Sequence, residues 1–154
     1  MAFALENLNC ELWIVGQLNQ DQILHFKTCC INYRVFQDLT DNELATLYNK
    51  CDIVSFVSTY EGFGLPPLEA MACSTAVIAS STGEAKKYAL HRNNVMLLDK
   101  GDPSEIELLA NELISDNILI NKLKKNRAVI PYIYSNDSIK YRSQYQLFNL
   151  NRDK

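Results

Sequence analysis

Between residues 53 and 79 the chain passes through an apolar strand, a glycine bend, a helix and a second apolar strand, with few residues left over. Ile53-Val-Ser-Phe-Val57 is a short apolar run of strand type. Leu68-Glu-Ala-Met-Ala-Cys73 is rich in helix formers, and Ala76-Val-Ile-Ala79 is apolar again. The link between them is Glu61-Gly-Phe-Gly-Leu-Pro-Pro-Leu-Glu69, which sets one carboxylate on each side of a Gly-Phe-Gly turn. Units of this kind build open α/β sheets whose ligands sit outside the carboxyl ends of the strands. The carboxylates suit a ligand with hydroxyls, and the helix start suits one with phosphate. A nucleotide sugar has both.

The remaining chain extends the same alternation. Residues 12–16, Leu-Trp-Ile-Val-Gly, read as a buried strand entering a tight turn, and residues 33–36, Tyr-Arg-Val-Phe, as a second strand. Residues 20–26 have weak helical character. Thr40-Asp-Asn-Glu43 is a capping box, and Leu44, Leu47 and Tyr48 behind it fall at helical spacing to about Cys51. Residues 84–90 read as a short helix and 95–98 as a strand. A helix then starts near Asp102 or Ser104, with Ile106, Leu109, Ala110 and Leu113 on one face. Residues 117–129 predict a second amphipathic helix, and residues 135–147 a final helical segment with Tyr141, Tyr145, Leu147 and Phe148 on or beside it. The expectation is an α/β fold: a doubly wound, mostly parallel sheet with helices on both faces. Residues 1–148 form one domain on this reading, and 149–154 a frayed polar tail.

Composition narrows the function classes. At 154 residues with 47% hydrophobic and 21% charged side chains, the chain has the make-up of an ordinary globular domain. A net charge of −3 and the lack of a Lys/Arg stripe argue against nucleic acid as a partner. The one basic cluster, Lys122, Lys124, Lys125 and Arg127, reads as a solvated helix face, with membrane-surface contact as the alternative. Five cysteines without a CxxC pair, and only two histidines, offer no metal-ligand spacing; free thiols in a reducing cytoplasm are the simplest reading.

Each candidate residue also has a plainer explanation. With Pro67 taken as the first helical position, Glu69 falls in the first turn, where the helix dipole alone favours an acid by about 0.3–1 kcal/mol. Its two oxygens also match the paired hydroxyls of a ribose. Glu61 lies on the loop, where nothing structural requires an acid, although a solvated glutamate is common there. Gly62 and Gly64 can aim backbone N–H groups at an anion or simply make a tight surface turn. Pro66 and Pro67 have no N–H, so donors must come from Phe63, Gly64, Leu65 or Leu68. The third glycine of a dinucleotide fingerprint is missing, and no GxxxxGK[ST] occurs.

The run Glu-Gly-Phe-Gly-Leu-Pro-Pro-Leu-Glu-Ala-Met-Ala-Cys from residue 61, followed by Ala-Val-Ile-Ala-Ser, resembles the retaining GT-B glycosyltransferases of family 4, the glycosyl transferases group 1. Their hallmark is Glu-x7-Glu within such a stretch. Leu44 to Tyr48 matches the same family's Leu-x-x-Leu-Tyr, and residues 12–16 its strand ending in Val-Gly. The similarity spans about residues 8–148 and is strongest over 40–81.

The resemblance implies the carboxyl-terminal, Rossmann-like donor-binding half of a two-domain enzyme that transfers a sugar from a nucleoside diphosphate sugar to a glycan or lipid-linked acceptor. It implies that Glu69 holds the ribose hydroxyls and that Glu61, the catalytic candidate, contacts the transferred sugar. Amides of residues 62–65 would meet sugar and diphosphate, and Phe36 and Gln37 would lie near the base. No cofactor and no metal are expected, and the setting is the cytoplasm, for the full enzyme at the membrane's cytoplasmic face. In that family a strand and a helix precede the region matching Leu12 and bring an Arg and a Lys to the diphosphate. Here eleven residues precede Leu12 and none is basic. The expectation is therefore a domain shortened at its amino end, inactive alone, with the acceptor domain supplied in the same or a partner chain. The family's Gly-Thr-Pro after the Cys is Ser74-Thr75-Ala76 here. The alternative is a non-catalytic nucleotide-binding or interaction module that keeps the fold.

Overall fold

The computed structural model describes residues 10–57, 65–81, 88–99, 102–126 and 145–150. Among them run β1 (Cys10–Val15), α1 (Gln20–Thr28), β2 (Tyr33–Phe36), α2 (Asp41–Lys50), β3 (Ile53–Phe56), α3 (Leu65–Ala72) and β4 (Ala76–Ser80). Then follow β5 (Met96–Leu98), α4 (Pro103–Ser115), α5 (Asn117–Lys125) and β6 (Tyr145–Leu150). The strands form one sheet in the order β2-β1-β6-β3-β4-β5. β1 pairs in parallel with β2, and β3, β4 and β5 pair in parallel in series. The chain thus winds outward from β1 to β2, crosses over through α2, and winds the other way from β3. That is the doubly wound α/β arrangement expected from the alternating pattern.

Local chemistry sets the helix ends. Thr40 caps α2 as expected: its hydroxyl accepts the Glu43 N–H at 3.3 Å, and Glu43 reaches back to the Thr40 N–H at 2.8 Å. Asn19 and Gln22 make a second capping box on α1, which explains a helix with so weak a periodic pattern. Asp102 caps α4, with Pro103 at the first helical position, and Asp116 caps α5.

A core lies on each face. On one, Leu12, Ile14, Ile53, Ile78, Met96 and Leu98 meet the apolar stripes of α4 and α5. On the other, Trp13, Val54, Phe56, Val77 and Leu147 meet α2 and α3. Strands buried on both faces need near-continuous apolar runs, as β3 and β4 have. The lone mismatch is Ser55 on β3, whose fully buried hydroxyl has no hydrogen-bond partner among the described residues.

Three expectations are corrected. The final helix over 135–147 does not reach its predicted end, because residues 145–147 begin β6, antiparallel to both β1 and β3. Two flanking strands offering unpaired N–H and C=O groups outweigh a local helical reading, and Tyr and Phe suit a strand. The polar tail is likewise not frayed at 149 and 150, which pair with Glu11 and Cys10. Helix α3 starts at Leu65, two residues before Pro67, because Pro66 and Pro67 are tolerated in a first turn whose N–H groups lack intrahelical partners. Most of the helix expected over 84–90, and residues 135–144, lie outside the described residues, as does the end of the helix expected to reach 129.

The basic cluster is partly tied into the fold. Lys122 donates to the Arg92 carbonyl at 3.0 Å, and Lys124 lies 3.4 Å from Asp52. No helix among the described residues is long and apolar enough to cross a membrane.

Candidate functional site

The two arms of the sheet diverge between β1 and β3, and the carboxyl ends of the strands there define the crevice where ligands of doubly wound sheets bind. At the ends of β1 and β2 a cavity of about 300 Å³ is lined by Val15, Gly16, Gln17, Phe36, Gln37, Asp38 and Leu39. Phe36 and Gln37, predicted to lie near a base, are both in its wall. Gly16 adopts φ 121°, which a side chain would disfavour, and its N–H donates to the Phe36 carbonyl at 3.0 Å. Asp38 is in the left-handed region at φ 52°. A short polar side chain tolerates that conformation best after glycine.

Leu65 and Glu69 stand on α3, beyond β3 on the other side of the switch point. Leu65 is half-buried in the first turn, while Pro66, Pro67, Leu68, Ala70 and Met71 are buried against the second core. Glu69 is half-buried and accepts a hydrogen bond on Oε2 from the Tyr48 hydroxyl at 3.1 Å. With the helix starting at Leu65, Glu69 is its fifth residue and outside the first turn, which contains no acid. The dipole explanation for an acid at this position therefore loses its force, since the effect fades beyond that turn. Glu61, Gly62, Phe63 and Gly64 lie outside the described residues.

Tyr48 was legible in the sequence only as a helix-face residue. It is almost fully buried, and its carbonyl accepts from the Thr75 hydroxyl at 2.7 Å, which ties the end of α2 to the turn before β4. Nothing in the residue pattern reports that its hydroxyl meets Glu69 twenty-one positions on. Asp38 carries no such signal either, while Gly16 reads in the sequence only as the glycine of the turn after β1.

A second cavity, about 500 Å³, lies under the β2 side of the sheet and shares Phe36 and Leu39 with the first. Trp13, Arg34 and Lys50 are among its walls. Beside it the buried Glu11 carboxylate accepts from the Trp13 indole N–H at 2.6 Å and from Arg34 Nε at 2.8 Å. The Trp13 hydrogen bond above all, with help from Arg34 and against the effect of burial, holds the Glu11 carboxyl below its ordinary range. Burial pushes the Cys51 thiol up to about 12 and the Cys10 thiol up to about 11, so neither is a nucleophile at neutral pH. Among the described residues no three His, Cys, Asp or Glu side chains come together in a way that could hold a metal ion.

A doubly wound sheet with a cavity and an oriented carboxylate flanking its switch point belongs to the class of α/β folds that take ligands at the carboxyl edge of the sheet. Residues 2–129 match the family described as glycosyl transferases group 1, and the chain belongs to that family. Over 130 residues it is 30% identical to the uncharacterized glycosyltransferase MJ1607 of Methanocaldococcus jannaschii, covering 79% of this chain and 33% of that protein. Over 43 residues it is 56% identical to the serotype-specific mannosyltransferase WbdA of Escherichia coli, covering 28% of this chain and 5% of that protein. Among solved structures it is similar to the C-terminal domain of the group 1 glycosyl transferase LpcC from Francisella tularensis. That match has a TM-score of 0.62 at 31% identity and covers 70% of this chain and 57% of the other. The fold is also that of Anabaena HepE in complex with UDP-glucose, at a TM-score of 0.70 and 23% identity, over 82% of this chain and 37% of HepE. The chain spans a third or less of the curated relatives it matches.

Proposed function

We propose that this chain is the donor-binding domain of a retaining glycosyltransferase, taking a nucleoside diphosphate sugar as substrate. The observation that carries the reading is the half-buried Glu69, held by the Tyr48 hydroxyl on one side of the switch point. The cavity lined by Phe36 and Gln37 lies on the other side. A base packed in that cavity leaves its ribose directed toward α3, where a carboxylate can take two hydroxyls at once. The diphosphate then falls at the start of α3, with amides of residues 62–65 and the helix end as donors. Glu61 orients the transferred sugar and offsets positive charge developing on it as the nucleoside diphosphate leaves. UDP and UDP-glucose complexes of HepE support this class of ligand.

Transfer itself needs an acceptor-binding domain closing over the crevice, in the same or a partner chain, and this chain forms one wall of that cleft. A role in polysaccharide assembly is in keeping with the likeness of 43 residues to a serotype-specific mannosyltransferase. Calorimetric titration with UDP, GDP and ADP tests the reading. One of the three binds saturably, and Glu69→Ala weakens that binding by about 1–3 kcal/mol, the cost of removing a charged hydrogen-bonding partner. Unchanged affinity in the variant removes Glu69 from the site.

A further inference from the structure

The larger of the two cavities, about 500 Å³, takes no part in the donor-binding reading. It is a groove between α2 and the face of the sheet at β1 and β2, with β2 as the edge strand. Its volume falls within the roughly 300–1,000 Å³ that holds a small organic ligand. Register and helix direction give it two different ends. Phe36 closes β2 at the crevice, and Arg34, in register with Trp13, lies two residues nearer the amino end. α2 runs the opposite way, from Thr40 at the crevice to Cys51 just before β3. Glu43 is therefore at the end near Phe36 and Leu39. Lys50 follows about 10 Å further along the helix axis, at the Arg34 end.

The floor is apolar and fixed. Trp13 and Phe36 pack with ring centroids 5.7 Å apart and planes tilted by 58°, and the buried Leu47 adds the helix side. One acid holds both the floor and a cation beside it: the buried Glu11 accepts from the Trp13 indole N–H and from Arg34 Nε. That contact uses only Nε, so the terminal Nη groups of an exposed guanidinium are left as a fork for an anion. Lys50 makes no hydrogen bond or ion pair among the described residues. Two cations against one buried acid leave this end positive. The acid at the other end, Glu43, is engaged in the cap of α2, where Oε2 accepts from the Thr40 N–H and hydroxyl.

We propose that this groove is a second binding site, for a small ligand with a flat apolar body and a carboxylate. The body lies on Trp13 and Phe36, and the carboxylate takes the fork of Arg34 with Lys50 beside it. Joining β1 to β2 needs only the Glu11–Arg34 pair. It does not explain an open apolar groove next to an unpaired lysine, since close packing would fill such a space. Phe36 and Leu39 also line the smaller cavity, so an occupant presses on the wall of the crevice from behind. The site does not depend on the donor-binding reading, and its test uses no nucleotide.

Trp13 is the only tryptophan of the chain, so its fluorescence and its indole N–H resonance report on the groove floor. The probe is 3-phenylpropanoate, titrated into the full chain, with 3-phenylpropanamide as the neutral control. Expected are saturable changes in both signals, with amide shifts at Phe36 and Leu47 and none at β5, on the far edge of the sheet. The control should bind about tenfold more weakly, having lost the charged contacts. Arg34→Gln combined with Lys50→Gln should bring the probe down to the affinity of the control. Thr46→Tyr, at an exposed wall position, fills the groove and should abolish binding. If a variant does not fold, probe against control on the unaltered chain decides. Absence of a saturable change overturns the proposal, as do equal affinities for probe and control. So does full affinity in folded Thr46→Tyr, or a preference for the anion that survives loss of both cations. A dimer in light scattering whose groove is closed to the probe overturns it too, because a second copy is then the occupant.

Discussion

A carboxylate accepts up to about four hydrogen bonds, so the one that Glu69 accepts among the described residues, from Tyr48, orients it without filling it. Because Tyr48 is almost fully buried, its hydroxyl is held in place by packing, and the acid inherits that placement. Tyr48→Phe is therefore expected to weaken nucleoside diphosphate binding by about 0.5–1.5 kcal/mol, less than the full worth of a hydrogen bond to a carboxylate because the acid itself stays in the site. Added to Glu69→Ala it should cost nothing further, because the role of Tyr48 runs through Glu69; calorimetry on the double-mutant cycle checks this. Additive losses would mean that Tyr48 acts elsewhere. Ser74 is the second residue whose setting gives a number. It follows α3 at φ 62°, with its N–H donating to the Met71 carbonyl and the Thr75 N–H donating to that of Ala70. This is the Schellman ending, in which the left-handed position is usually glycine. A non-glycine residue there costs about 1–2 kcal/mol, and glycine's greater freedom in the unfolded chain takes back about 0.5–1. Ser74→Gly should raise stability by about 0.5–1 kcal/mol in denaturant unfolding.

Some elements are legible from the chemistry at their ends, although the capping box of α1 is read only once the structure shows it. Thr40 and Glu43 announce α2, Asp102 and Pro103 announce α4, and the apolar runs of β3 and β4 need no tertiary information. The start of α3 was misplaced because two prolines look like a boundary, although a first turn accepts both. β6 was missed because its pairing comes from β1 and β3, more than ninety residues earlier in the chain. The pairing of β1 with β2 also carries a titration. Glu11 on β1 bonds its own strand's Trp13 and Arg34 on β2, and its carboxyl titrates below the ordinary range. An unfolded glutamate titrates near about 4.3, so the stability from this arrangement is complete above that pH and is lost as pH falls through the lower folded value. Glu11→Gln should lower the midpoint of unfolding at pH 7 and flatten the acid limb, the two proteins converging once pH has fallen below the lowered folded value. Parallel acid limbs would show that Glu11 is not held this way.

At the scale of the molecule, site and core share one strand. β6 is the only link among the described strands between the β2-β1 arm and the β3-β4-β5 arm, so the crevice between Gln37 and Glu69 keeps its width only while something occupies the switch point. The sequence pattern shows that such a sheet forms and where its crevice opens; what fills the middle is a matter of pairing over long distance. Leu147 tests the arrangement. It is fully buried in the second core, in register with Trp13 on one arm and Val54 on the other. Leu147→Ala removes apolar contact from both arms at once and should cost about 2–5 kcal/mol, a large share of the roughly 5–15 kcal/mol of a typical domain. Unfolding followed by Trp13 fluorescence and by far-ultraviolet circular dichroism should remain a single transition at a lower midpoint, because neither arm has a complete sheet without the other. A loss below about 0.5 kcal/mol is what a surface position gives, and would mean that the strand does not occupy the centre of the sheet in solution. Two separate transitions would mean that the arms fold independently, and that the spacing between cavity and carboxylate is not set by β6.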